Sequence, residues 1–334
     1  MDPSSPALKR SEDWWQIYQP PYEERFHSTT FVTERTIDFI EQAEQDNKPW
    51  LAWCSFPDPH HPITPPGDWF HRHSPEDVEL PSTRNDPLDV APEHLQNFRK
   101  IHPRDQRNWV SPCGFRDDGL LAEAIAATYG AIEMVDDGVG KIMRRLTELG
   151  VRDETLVVFT SDHGDMMGDH GLMLKGFMHY RGSLQVPLII DAPGKPAART
   201  SSLASSIDLG PTLLDLAGIA AYDGIQGQSL SPVLVDPGAS VRDSVLVEDD
   251  IAPIVSTLTP IPAKTRTVIT KTHRYTRNSK GEDQLFDLRG DPDELTDLSG
   301  GSSADRSTRY QMIEQLADAM INADDAYRGA PSEQ

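Results

Sequence analysis

The chain has 334 residues, enough for one large or two unequal domains around a substantial core. Its 53 acidic against 31 basic residues leave a net charge of −22, whose field repels nucleic-acid phosphates and anionic lipid surfaces. No apolar run approaches the roughly 18 residues needed to span a bilayer, so a soluble protein with neither nucleic-acid nor membrane partners is expected. The compartment stays open between cytoplasm and periplasm. Two cysteines, Cys54 and Cys113, permit one bridge at most and no thiolate metal cluster.

Residues 1–27 carry Pro3, Pro6, Pro20 and Pro21 without a usable period and predict an irregular lead-in. From Ser28 to about Asp46, Phe31, Val32, Ile37, Phe39, Ile40 and Ala43 fall mostly on one face of a helix. WLAWCSF at 50–56 is almost wholly apolar and predicts a strand buried on both faces of a parallel sheet. Residues 57–118, crowded with Pro, His, Asp and Arg, predict a long functional excursion from the strand's C-terminal end. A long helix follows, with Leu121, Ile125, Thr128, Ile132, Val135, Val139, Ile142, Leu146 and Leu149 spaced by three and four and Gly150 as its cap.

TLVVFT at 155–160 and VPLIID at 186–191 predict two further buried strands, and Ile207–Gly218 a helix with Asp208 at its start. This alternation predicts an α/β domain with a doubly wound, mainly parallel sheet over 28–236. Beyond it, RDSVLVED, RTVITKTHRYT and DQLFDL alternate in polarity. They predict a smaller C-terminal α+β domain over 237–334, with an antiparallel sheet, a terminal helix at Tyr310–Ala323 and a frayed tail.

Chemistry concentrates in FTSDHGDMMGDHGLMLKG, residues 159–176, which leaves the end of a predicted buried strand, where open α/β sheets bind ligands. The adjacent Asp162 and His163 could offer a hard oxygen and an imidazole to a divalent cation, although the pair alone equally suits a solvated turn. Asp165, Asp169, His170 and Lys175 crowd the same loop. Lys175 could neutralise an anionic substrate group or be a plain exposed cation. In PDPHHP at 57–62 the prolines stiffen the backbone around His60 and His61, which suits proton transfer or contact with a leaving-group oxygen as well as an ordinary surface loop. Asp136 and Asp137 diverge by about 100° around their helix and predict a structural role.

Together these segments resemble the sulfatase family of the alkaline phosphatase superfamily from about Thr29 to Leu316. The resemblance rests on YGAIEMVDDGVGKIMRRLTELG, TLVVFTSDHGDMMGDHGLMLK, VPLIIDAPG, DLGPTLLDLAGI with GQSL, and QLFDLRGDPDELTDL, in that order. MHYRG at 178–182 is similar to the bacterial branch of arylsulfatases, choline sulfatases and phosphonate monoester hydrolases. It implies a metal-dependent hydrolase of small-molecule or carbohydrate sulfuric esters, with phosphonate or phosphate esters as the alternative. Asp162 and His163 would be metal ligands, with calcium placed ahead of manganese. Lys175 and His60 would contact the sulfate and the ester, His61 would be the variable position of the PHxP pattern, and His170 would stand behind the contacting groups.

The family also begins with a strand bearing paired aspartates, followed by CxPSR or SxPSR, whose Cys or Ser becomes a formylglycine nucleophile. No Cys or Ser of this chain matches that signal: Cys113 stands in SPCGFR and Cys54 inside a predicted strand. The family's GKWHLG-like segment has no counterpart either, so the chain resembles a sulfatase without its first part. An inactive sulfatase-like binding protein is the reading from another class, and a homo-oligomer stays open.

Overall fold

The computed structural model describes residues 9–10, 14–103, 112–251 and 261–323. Strand β1 (Lys9–Arg10) pairs antiparallel with β2 (Tyr18–Gln19). The lead-in is more than a loose approach: Trp14 and Ile17 are wholly buried, and Trp14 meets the Phe115 ring edge-on at 5.0 Å. Helix α1 (Ser28–Gln45) starts on His27, whose Nδ1 accepts the Thr29 amide at 3.3 Å. Its expected apolar face is not the buried one. Thr29, Thr33 and Ile40 are covered, while Phe31 and Phe39 are exposed.

The expected strand at 50–56 is extended but belongs to no ladder among the described residues. Leu51 is 70% and Trp53 82% exposed, against the expectation of burial on both faces. An apolar run marks a segment able to be buried, but burial needs covering partners, and here the cover reaches one side only. The excursion that follows contains helix α2 (Glu93–Lys100), for which the sequence shows no sustained period; it buries His94, Leu95 and Phe98. Glu93 at its start and Arg99 and Lys100 at its end suit the helix dipole.

Strand β3 (Cys113–Gly114) precedes α3 (Asp118–Leu149), the predicted long helix. Asp117 caps it by accepting the Leu120 amide at 2.9 Å, and Gly150 closes it at φ 77°. Strand β4 (Val157–Thr160) follows, then β5 (Leu172–Met173), which pairs antiparallel with β3, and the single turn α4 (Arg181–Leu184). Strand β6 (Leu188–Asp191) pairs with β4 in the register Val157↔Asp191 to Thr160↔Leu188. That pair is antiparallel. Only one helical turn separates the two strands, too little for the crossover that a parallel neighbour requires. Phe159 is 40% and Ile189 60% exposed, so this small sheet also lacks full cover.

Helix α5 (Leu209–Leu216) begins beyond a capping box of Ser205 and Asp208, and α6 (Ser231–Val235) follows. The C-terminal part bears out the expected antiparallel sheet, here four strands in the order β10-β9-β8-β7. They are β7 (Ser244–Asp250), β8 (Lys264–Thr270), β9 (His273–Asn278) and β10 (Asp283–Asp287). Helix α7 (Ser303–Ala323) covers Val268, Tyr275 and Leu285 with Met312 and Leu316, and begins seven residues before the predicted helix. The predicted frayed tail lies outside the described residues. Phe286 of β10 joins Leu95, Phe98, Leu172 and Tyr180, which seats this sheet against the site-bearing loop. Among the described residues no helix is long and apolar enough to cross a membrane.

Candidate active site

The chain leaves β4 at Thr160 and turns at Ser161–Gly164. Gly164 is required there, because a Cβ at this position would stand 2.0 Å from the Gly182 carbonyl oxygen. The Gly164 amide donates to the Ser183 carbonyl at 2.8 Å, fixing the turn against α4. The loop then ties itself together. Asp165 accepts the amides of Met167 at 3.0 Å and Leu174 at 2.9 Å, and the Met166 amide donates to the Leu174 carbonyl at 2.8 Å. Lys175 emerges half-buried from this closed loop.

Asp162 is the most open group, with its side chain 82% exposed. Its Oδ1 accepts the His163 amide at 2.9 Å, and its Oδ2 lies 3.5 Å from His163 Nε2. Burial pushes its carboxyl up, but the His163 amide and imidazole outweigh it and hold the pKa below the usual value. His163 Nδ1 lies 2.8 Å from the Gly164 carbonyl oxygen, with Nε2 on the side of Asp162. Burial raises the Asp165 carboxyl, and burial lowers the Lys175 ammonium although Asp165 and Asp162 pull it back.

Of the two histidines of PDPHHP, His61 is the more buried. His60 is exposed, with Nδ1 2.5 Å from the His61 carbonyl, and its ring stacks on that of His61 at 4.1 Å. His61 is the half-buried imidazole that senses Lys175 and His163. Burial, then Lys175, His60 and His163, push its pKa down to about 3. The family resemblance assigns the ester contact to His60, the first histidine of the PHxP pattern, whose ring lies against that of His61.

His170 is buried. Its Nδ1 lies 2.7 Å from Asp86 Oδ2 and its ring stacks on Tyr180 at 4.0 Å. This pins the excursion to the loop. Several positioning residues carried no sequence signal at all. Asp249 accepts the Phe177 amide at 2.9 Å, Thr267 pairs with His179 at 2.7 Å, and Glu294 accepts the Arg181 amide at 2.7 Å. All three come from the C-terminal part. Neither thiol is activated: burial, with Asp165, drives Cys113 up to about 12, and burial also raises Cys54. Among the described residues no three His, Cys, Asp or Glu side chains converge to hold a metal. Asp162 and His163 are two donors where a hard cation takes six or more, so they do not by themselves fit such an ion. Asp137 pairs with Lys141 at 2.7 Å along its own helix, in keeping with a structural role.

The family model described as Sulfatase matches residues 7–219, well over half of the chain. This chain belongs to the sulfatase family. A second family model, N-sulphoglucosamine sulphohydrolase, C-terminal, matches residues 168–322. Among curated relatives, an arylsulfatase of Clostridium perfringens is 32% identical over 83% of this chain and 54% of its own length. A choline-sulfatase of Rhizobium meliloti is 30% identical over 78% and 48%. Among solved structures, a phosphonate monoester hydrolase of Agrobacterium radiobacter superposes with a TM-score of 0.79 at 26% identity, covering 94% of this chain and 65% of that one. The chain thus spans about half the length of these curated sulfatase relatives.

Proposed function

We propose that this sulfatase-family chain carries the ester-recognising side of a hydrolase site for sulfuric esters of small molecules or carbohydrates. What supports the reading is that half-buried His61 feels the charges of Lys175 and His163, and Lys175 that of Asp162, although they come from two loops far apart in sequence, with His163 3.5 Å from Asp162. Lys175 has lost part of its hydration, so an anion placed beside it meets a strong, poorly screened charge. The sulfuryl oxygens are such an anion. His61 is neutral at physiological pH, so its ring can donate or accept one hydrogen bond at the ester oxygen without adding charge. Asp162 remains ionised and orients His163 through the backbone amide it accepts.

Sulfur–oxygen cleavage needs an activated nucleophile, and neither Cys54 nor Cys113 is one. The reading therefore assigns recognition to the residues described here and routes no step through a cation. The phosphonate monoester hydrolase neighbour favours a second reading, in which the tetrahedral anion is a phosphonate or phosphate ester. Calorimetric titration with inorganic sulfate and with phenylphosphonate separates the two by their ratio of affinities.

Lys175→Ala is expected to weaken sulfate binding about tenfold, the equivalent of about 1.4 kcal/mol. Unchanged affinity would remove Lys175 from the site. Turnover of 4-nitrophenyl sulfate by the chain alone is expected to be no faster than that of an Asp162→Ala control. Chelator-sensitive turnover above that control would show that another residue serves as nucleophile.

A further inference from the structure

Lys175 is set in place by its chain neighbours rather than by its own side chain. Among the described residues no hydrogen bond or ion pair ends on its ammonium. The backbone on either side of it is unusual: Leu174 has φ 75°, Gly176 94° and Phe177 57°. Glycine adopts that left-handed region freely, but a leucine and a phenylalanine stay there only where their surroundings hold them. Leu174 is held from within the loop. Its amide donates to Asp165 Oδ1 at 2.9 Å, and its carbonyl accepts the Met166 amide at 2.8 Å.

Phe177 is held in the same manner, but by groups from two distant segments. Its amide donates to Asp249 Oδ2 of β7 at 2.9 Å, and its carbonyl oxygen lies 2.9 Å from His94 Nε2 of α2. A carbonyl oxygen can only accept, so His94 carries its proton on Nε2. His94 is buried and its Nδ1 has no partner among the described residues, so the bond to Phe177 is the one its ring makes there. Asp249 is fixed in turn by a buried relay. The Arg274 guanidinium donates to Thr276 at 2.8 Å, Thr276 lies 2.6 Å from Thr267, and Thr267 lies 2.7 Å from His179 Nδ1. With arginine donating at one end and a carboxylate at the other, the hydroxyl protons all point one way, and His179 turns Nε2–H toward Asp249 Oδ2 at 3.6 Å.

We propose that His94 and Asp249 are positioning residues for Lys175: they grip Phe177 by its carbonyl and its amide, and so fix where the Lys175 ammonium stands for an anionic ester. The inference rests on the reading of Lys175 as the anion contact and adds what holds it. Lys175 and Gly176 form a two-residue span between anchored ends, Leu174 and Phe177. Letting go of Phe177 frees the span, because its left-handed backbone is then no longer compensated. Neither positioning residue has to touch the anion. Burial pushes the Asp249 carboxyl up, but His179 and the Phe177 amide outweigh it and hold the group ionised. Its charge therefore opposes an anion, and a merely electrostatic role would weaken sulfate binding rather than aid it.

The test is calorimetric titration of the whole chain with inorganic sulfate, together with backbone amide order parameters from NMR relaxation. Asp249→Ala and Asp249→Asn remove the same charge, but only asparagine keeps an oxygen for the Phe177 amide. Asp249→Ala is expected to bind sulfate about fivefold more weakly, with the order parameters of Lys175 and Gly176 falling from about 0.85 to below about 0.6, while Asp249→Asn stays close to the native chain in both. His94→Phe and His94→Gln repeat the comparison at the carbonyl, where glutamine alone keeps a donor, and they decide the matter if Asp249→Ala does not fold. Met312→Ala, in the core beneath α7, is expected to lower stability in urea while leaving sulfate affinity and both order parameters unchanged. Unchanged or tighter sulfate binding in Asp249→Ala and His94→Phe, equal loss in the alanine and asparagine variants, or the same loss in Met312→Ala would each overturn the proposal. Full sulfate affinity in Lys175→Ala would remove the recognition reading and the proposal with it, whereas weakening in Lys175→Ala alone would remove the proposal and leave the reading.

Discussion

His60 and His61 are adjacent in sequence and stacked in space, yet they differ in burial. His60 is exposed, while burial, followed by the charges of Lys175, His60 and His163, pushes the pKa of half-buried His61 down to about 3. Because the folded value lies below the ordinary 6.5, the unfolded chain takes up a proton that the folded chain refuses. Stability contributed by neutral His61 is therefore complete above about pH 6.5 and is lost as pH falls toward 3. His179, whose pKa burial also lowers, adds a loss of the same sign. Histidine resonances followed by NMR should show His61 neutral at pH 5, and His61→Phe should flatten the acid limb of a urea-stability profile. A His61 that titrates near 6.5 would contradict the geometry. The PHxP spacing placed a histidine at this corner of the molecule but could not say which ring turns inward, because that depends on Lys175 and His163.

The loop from β4 to α4 is held as an element, and its supports come from both ends of the chain. Gly164 packs against Gly182 so closely that Gly164→Ala is expected to cost about 2–3 kcal/mol in urea denaturation, since backbone rather than a flexible side chain stands in the way. Glu294 is the second support. It accepts the Arg181 amide and pairs with buried Arg274, whose guanidinium also lies 4.6 Å from the Phe286 ring centroid. Glu294→Ala leaves a buried cation without its partner and is expected to cost about 3–5 kcal/mol, with much of the loss recovered by Arg274→Met in the same chain. Equal destabilisation of the single and double variants would place the effect elsewhere. The glycines were visible in the sequence as turn formers, but nothing in DPDELTDL distinguished buried Glu294 from exposed Asp293 or from half-buried Asp291 and Asp297.

At the scale of the molecule, residues 50–56 and β4 each lead into a loop that carries candidate site residues, His60 and His61 after the one and Asp162 and His163 after the other. Calcium titrated into the chain alone is expected to bind more weakly than about 0.1 mM, because two donors replace few of the waters a hard cation sheds. Tight stoichiometric binding that survives alteration of both Asp162 and His163 would remove that assignment. The uncovered Leu51, Trp53, Phe159 and Ile189 are expected to bind a hydrophobic dye and to promote self-association, and Trp53→Asp should reduce both.

Sequence alone determined what is set by neighbours a few residues apart. The three-and-four spacing within 121–149, the Gly150 cap and the polar alternation beyond 236 are local patterns, and they became α3, its closure and the C-terminal sheet. The cluster of Asp162, His163 and Lys175 was legible for the same reason, as charge beginning abruptly after an apolar run. Only the tertiary structure decided that Trp14 is core, that β6 runs antiparallel to β4, that His61 rather than His60 turns inward, and that 50–56 lies open. Each of these depends on what a segment meets across space, and apolar character records a capacity for burial without naming the partner that provides it.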